Sequence, residues 1–300
     1  MRAFFLLPLL ACSASAAPVV SASQAGSGFW EHWGDGKGEL AGYAVVQPRY
    51  GELHEGQAVL VFVTETLNSK SLIKADDPGR ADLPVLKLNT ALDFKTGVYD
   101  YNVMTSTFVP LDGSQGRGSV SKMSFSSQEW CGHVYDQVKV RDGSMTHTWH
   151  SYFESEGEGE GVSDVPAGAV YVDAMPILSR DLAGPLVAPG QARDVPVWPR
   201  AQHSRFRHVE PTWRPGRLSR EASTKTITVP AGDFEVRRTT LEVDGLTGSW
   251  DVEVAAPHRL VAWSWSDGER GELVGVERQA YWNFNGPNSG ALRKTLGLEP

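Results

Sequence analysis

The sequence predicts a mainly β fold, an antiparallel curved sheet or partly open barrel packed around one central helix, with a short C-terminal helix. Three observations predict it. From Glu39 onward, short stretches rich in Val, Tyr, Phe, Trp and Thr are separated by Gly, Pro, Asp and Asn, the spacing of strands and tight turns. Only one internal segment carries both start and stop signals for a helix. The run Ala58-Val59-Leu60-Val61-Phe62-Val63 is apolar on both faces, so that strand needs cover on both sides.

Taken in order, the strands are expected near 40–49, 57–66, 83–94, 98–109, 117–129, 131–141 and 144–153. A second group is expected near 203–209, 217–229, 233–243, 248–255, 259–266 and 272–283. Asp142-Gly143 marks a hairpin, because tight hairpin turns require positive φ and Gly accepts it. Val229-Pro230-Ala231-Gly232 marks another, with φ preset at Pro230. The same tetrapeptide recurs as Val165-Pro166-Ala167-Gly168, which raises the expectation of two similar halves, 29–168 and 190–286. Between them a helix is expected near 173–183, capped by Asp173, with Pro176 in its first turn and a stripe of Ile177, Leu178 and Leu182. Gly184-Pro185 would stop it. A second helix is expected around Ala291 to Leu296.

The amino terminus points to export. Met1-Arg2 precedes the apolar run Ala3 to Leu10, which is too short to span a bilayer and reads as a signal peptide over residues 1–11. Leu9-Leu10-Ala11-Cys12 resembles the lipobox of bacterial lipoproteins, which implies that Cys12 is the lipid-attachment residue and that the membrane is met through this lipid. The alternative is ordinary cleavage after Ala16. Residues 12–28, mostly Ser, Ala, Gly, Val, Pro and Gln, cannot bury a core and read as a flexible tether. The body then covers 29–300. Its expected location is the cell envelope, on the periplasmic face of the outer membrane.

Composition narrows the partners. The 300 residues carry a formal charge of −8, which argues against a nucleic-acid partner, since phosphate recognition wants a cationic surface. With Cys12 lipidated or removed, Cys131 is the only remaining thiol, so stability must come from the core.

Much of the amino-terminal half resembles a family of uncharacterised bacterial envelope lipoproteins. The resemblance lies in Gly38-Glu39-Leu40-Ala41-Gly42-Tyr43, Arg49-Tyr50-Gly51-Glu52-Leu53, Val63-Thr64-Glu65, Pro84 to Asn89, Met104-Thr105-Ser106 and Gln128-Glu129-Trp130-Cys131-Gly132. Some relatives bear the label septum formation inhibitor Maf. That nucleotide pyrophosphatase family opens an α/β domain with a Ser-x-Arg-Arg turn, and no such turn occurs here. The carboxy-terminal half, through Thr228 to Phe234 and Pro257-His258-Arg259-Leu260-Val261, is similar to periplasmic domains of unknown function related to lipoprotein-carrier folds. That similarity implies strands curved around helices in a partly open barrel.

No short catalytic signature is present: HExxH, CxxC, a P-loop, GxSxG and GxGxxG are all missing. The candidate reactive stretch is Glu129 to Tyr135. Read as one strand, it puts Glu129, Cys131, His133 and Tyr135 on a common face, where a thiol activated by an imidazole would be a nucleophile or a metal ligand. Gly132 could break that alternation with a bulge, and the same face also reads as a solvated strand surface. His147 and His150 point to opposite faces of one strand, so no metal site is assigned and no cofactor is expected. The acidic run Glu154 to Gly161 reads as a hairpin tip. Arg193, Arg200, Arg205, Arg207, Arg214, Arg217 and Arg220 read as a solvated strand face that could also meet an acidic partner. Trp250, Trp263 and Trp265, with Tyr281, Trp282 and Phe284 nearby in sequence, are candidates to line a ligand pocket or simply core. The expected role is therefore non-catalytic, a hydrophobic ligand or an envelope partner held in a concave sheet. An enzyme or metal-binding protein using Cys131 and His133 is the alternative.

The export reading has a direct test in the mass of the mature amino terminus. A diacylated Cys12 is expected at its start, and a free start at Ala17 would refute the anchor while leaving export intact.

Overall fold

The computed structural model of the chain describes residues 27–77, 82–113, 119–182, 186–286 and 289–298. The signal segment, Cys12, the tether up to residue 26 and the Gly184-Pro185 stop lie outside these residues. The fold is mainly β, one large, mostly antiparallel, open curved sheet with a few short helices. Its first wing is an up-and-down meander. β1 (Gly38–Arg49), β2 (Glu52–Leu67), β3 (Leu83–Thr96) and β4 (Tyr99–Pro110) are followed by β5 (Lys122–Glu129), β6 (Gly132–Arg141), β7 (Ser144–Ser151) and β8 (Glu158–Asp164). Each pairs antiparallel with the next.

The second wing contains β9 (Val170–Tyr171), β10 (Ala192–Trp198), β11 (Arg214–Arg220) and β12 (Lys225–Val229). It continues with β13 (Gly232–Val243), β14 (Leu246–Glu253), β15 (Leu260–Trp265) and β16 (Arg270–Gln279). β16 pairs with β1, so the stretches 29–168 and 190–286 are wings of one sheet whose outermost strands are β8 and β9. The helices are α1 (Ser27–Trp33), α2 (Met175–Leu178), α3 (Ala201–Arg207) and α4 (Ala291–Thr295).

The concave face is set by strict alternation. Tyr43 opposes Ala58, Ala58 opposes Leu92, and Leu92 opposes Val103, so one parity of every strand feeds the same interior. That interior holds a single large apolar cluster drawn from both wings and from Tyr171, Val172, Met175, Ile177 and Leu178, the segment that crosses the hollow. The helix expected at 173–183 is thus central but short. A 3-10 turn at Val172–Ala174 leads into one turn of α2, with Pro176 in its first turn. Asp173 does not cap it.

The strand expected at 203–209 is instead helix α3. Its apolar and buried positions, Ala201, Arg205 and the half-buried Phe206, recur at helical spacing and show no alternation. The single strand expected at 217–229 is two, β11 and β12, because both must pair with successive parts of the longer β13. The strand expected to reach residue 283 ends at Gln279, and Tyr281–Asn283 form a 3-10 turn. Helix α1, β8, β9 and β10 had no counterpart in the sequence reading. The two marked hairpins are present: Asp142 and Gly143 hold φ of 51° and 76° between β6 and β7, and Pro230-Ala231 joins β12 to β13.

The convex face of β1 and β16 is covered by the C-terminal segment, whereas the apolar β2 run is covered only in part there, with Val59 and Val61 half-buried. Gly42 and Gly275 are cross-strand partners, and a Cβ on either would collide with the backbone at Leu296 or Thr295. This bare patch lets the end of α4 lie directly on the sheet.

At one end of the hollow, here the closed end, Arg180 is fully buried. Its guanidinium donates to both Glu39 oxygens at 2.7 and 3.1 Å and to the carbonyls of His258 and Pro257 at 2.7 and 3.1 Å. It also lies over the rings of Trp33 and Phe62. One side chain therefore joins α1, β1, β2, the crossing segment and the β14–β15 turn. Arg180→Met would strand the Glu39 carboxylate in an apolar site, with an expected loss of about 3–5 kcal/mol in denaturant unfolding. Adding Glu39→Leu should restore most of it. A single-variant loss below about 1 kcal/mol, the size of an exposed pair, would contradict this role.

Candidate functional site

The opposite end of the hollow, the mouth, is occupied by α3, which polar ties hold to both wings. Its first amide, on Ala201, donates to the Asp173 carboxylate at 2.9 Å, so Asp173 caps α3 from across the core. Arg200 donates to both oxygens of Glu269 at 2.6 Å, and Gln202 donates to Gln47 at 2.7 Å. Arg205 reaches Glu129 at 3.1 Å and Glu156 at 3.4 Å. From below, Arg49 donates to the Phe206 carbonyl at 2.8 Å.

The electrostatics follow from burial and pairing. Burial alone would raise the Glu269 carboxyl, yet Arg200 and His203 hold it well below the usual carboxylate range. Burial pushes the His203 imidazole down. Burial also pushes Asp173 up to about 6, against the pull of Arg200. The Arg-rich stretch expected to be a solvated strand face is therefore only partly so. Arg200 and Arg205 are buried or nearly buried because carboxylates from both wings, Glu129, Glu156 and Glu269, accept their donors.

Beside α3, facing β5 to β7, lies a cavity of about 340 Å³. Its apolar wall is Phe125, Val134, Trp149, Val209 and Pro211. Its polar groups are Asp136, His147, Ser151, Ser155, Glu156, Ser204, Arg205, His208 and Glu210. On its floor His147 meets Asp136 at 2.8 Å, and the imidazole stacks on Trp149 and meets Trp198 edge-on. At its lip His208 bonds Glu156 at 2.5 Å. Arg205 is buried, and its Nε has no acceptor. A smaller space of about 180 Å³ lies on the other flank of α3. A wider, shallow cleft of about 550 Å³, floored by Leu40, Val59 and Ala91, lies on the convex face near α4.

The sequence-derived reactive group does not assemble. Glu129 pairs with Gly132, so Trp130 and Cys131 form the tip of a two-residue hairpin and the supposed common face is broken there. Glu129 turns inward to Arg205, while Cys131, His133 and Tyr135 are exposed. His147 and His150 do point to opposite faces, His150 lying 3.7 Å from Glu158 on the outside. Among the described residues no group of three or more His, Cys, Asp or Glu could hold a metal.

Trp250, Trp263 and Trp265 do share the inner face, with Trp263 donating to Glu269 at 3.0 Å. The gap they line is about 40 Å³, room for a water or two and not for an acyl chain. Trp282 and Phe284 are exposed and do not line that gap, Phe284 lying in the cleft near α4. The acidic run is also more ordered than a hairpin tip. Its second half is β8, where Gly159 lies under Trp149 and Glu158 and Glu160 face outward.

Asp136 was missed, although it had a signal. It sits on the parity of Val134, Val138 and Val140, where a carboxylate is out of place unless paired. No known protein family, no curated protein and no solved structure matches this chain. Among the described residues no helix is long and apolar enough to cross a membrane.

Asp173 supplies a test of the mouth. Its folded pKa lies above the ordinary carboxyl value, so the stability it lends is full below about pH 4 and lost as pH rises through about 6. Asp173→Asn keeps an acceptor for Ala201 and removes that dependence. Relative to the parent protein it should gain on the order of 2 kcal/mol in unfolding free energy between about pH 4 and pH 7. A difference that stays flat across that range would show that Asp173 is not buried as described.

Proposed function

We propose that this is a non-catalytic binding protein of the bacterial cell envelope, anchored by a lipid on Cys12, that lodges a small amphipathic ligand in the mouth of its concave sheet. The observation that carries this reading is the cavity of about 340 Å³ beside α3, which falls in the size range of small-molecule sites. One wall is apolar and the other offers convergent polar side chains, the mixture that orients a ligand with an apolar part and a hydrogen-bonding part. This moves the expected ligand away from the tryptophans, which are core, and makes it less purely hydrophobic than the sequence suggests. The rival reading, an enzyme using Cys131 and His133, lacks an enclosed place for a substrate, since both side chains stand in open solvent. The envelope location rests on the amino-terminal pattern and on the resemblance to envelope lipoproteins.

Native mass spectrometry of the purified protein should show a co-purifying small molecule, and a fluorescent long-chain fatty acid should bind with saturation. Ser204→Trp, which fills the cavity, should weaken probe binding by about tenfold or more, about 1.4 kcal/mol, with little change in unfolding midpoint. A clean apo mass together with no probe uptake would remove the ligand reading.

A further inference from the structure

The cavity beside α3 has a charge as well as a size. Three carboxylates line it, Asp136, Glu156 and Glu210, against one guanidinium, Arg205. That guanidinium is already taken. Its Nη2 donates to Glu129 at 3.1 Å, its Nη1 faces Glu156 at 3.4 Å, and its Nε, although without an acceptor, is closed off from solvent. Both imidazoles are engaged by carboxylates too, His147 with Asp136 at 2.8 Å and His208 with Glu156 at 2.5 Å. An anionic headgroup entering here would have to displace one of these carboxylates from its partner and would meet the others at close range.

The acceptors are in the opposite state. Among the described residues, the bond from His147 to Oδ2 is the only one made to the Asp136 carboxyl, so Oδ1 is free to accept. Glu210 is exposed and has no ion pair among the described residues. With neutral imidazoles the lining carboxylates outnumber the cations by two, and with both protonated the numbers are only equal. The end of the sheet around the cavity leans the same way. Lys95 and Arg207 are matched by Asp100 and Asp267, whereas exposed Glu52 and Glu154 have no such partner among the described residues. A negative field at an opening raises the local concentration of cations and lowers that of anions.

Asp136 lies between Phe125 and Trp149, its cross-strand neighbours, and all three line the cavity with Val134, Val209 and Pro211. The free acceptor is therefore set among apolar side chains. Resting on the ligand reading above, we infer that the ligand is a cationic amphiphile, a primary amine whose ammonium bonds Asp136 and whose apolar part packs along Val134, Val209 and Pro211. Glu210 favours its entry.

Calorimetric titration of the purified chain with octylamine, octanoate and octanol tests this, because the three share a tail and differ only in the headgroup. Octylamine should bind at least tenfold more tightly than octanoate, with octanol between them. Its lead should shrink several-fold between about 0.05 M and 0.5 M salt. Asp136→Asn should weaken octylamine binding tenfold or more and leave octanol unchanged. Glu210→Gln, at an exposed position, should weaken it about threefold and keeps the test open if Asp136→Asn does not fold. Ser204→Trp, which fills the cavity, should abolish the preference. An octylamine preference that survives Ser204→Trp would belong to acidic surface elsewhere and overturn the inference. Octanoate binding as tightly as octylamine would overturn it and leave the ligand reading standing. Binding by none of the three would overturn it as well, and the ligand reading would then stand or fall on the co-purifying molecule and the fatty-acid probe.

Discussion

The fold depends on how its hollow is filled. The sheet is open, with β8 and β9 at opposite ends of its strand path, and its two wings are held at their separation by the segment from Tyr171 to Leu182 that crosses between them. Arg180 fixes the far end of that segment. A guanidinium with four acceptors and two aromatic rings around it is worth little in net free energy compared with an apolar substitute, because desolvation offsets most of the attraction. Its value is positional. Donors directed at Glu39 and at two specific carbonyls admit one placement of the crossing segment, whereas an apolar plug could settle in several.

The same logic, inverted, organises the mouth. There the filling element is α3, too short to hold its shape in isolation, and it is pinned by ties to strands of both wings. Because those ties are polar and come from different directions, the helix does not sink onto the sheet as an apolar one would. It leaves space on either flank, where charged and apolar groups meet at an opening. The closed end excludes solvent and the mouth admits it, although both are built from buried arginines and glutamates.

The strands of the first wing were legible in the sequence because alternation and turn residues agree there, as at Asp142-Gly143. The second wing was less so. β11 and β12 looked like one strand because nothing in their local sequence reveals that β13 is long enough to pair with both. Helix α3 was hidden for a different reason: its buried face is made of Gln202 and Arg205, residues that become interior only when partners from distant strands reach them. The reactive group assigned to Glu129, Cys131 and His133 failed at a single step. A two-residue turn shifts the parity by which side chains are sorted to faces, so a reading that carries one strand through the turn pairs an inward carboxylate with outward neighbours. Cys12, on which the lipid anchor turns, lies outside the described residues and stands on its sequence pattern alone.

The main strand path of the sheet ends in two margins, β8 and β9, and each is a standing invitation for another chain to add a strand. At β8 the outward row is Glu158, Glu160, Val162 and Asp164, so two copies approaching edge to edge would bring three carboxylates of each against the other around one exposed valine. At the other margin β9 is only two residues long, and β10 beyond it carries Pro196, which has no amide proton to offer. The Gly-spaced acidic run that first looked like idle surface is thus one half of what keeps an open sheet from growing into a polymer.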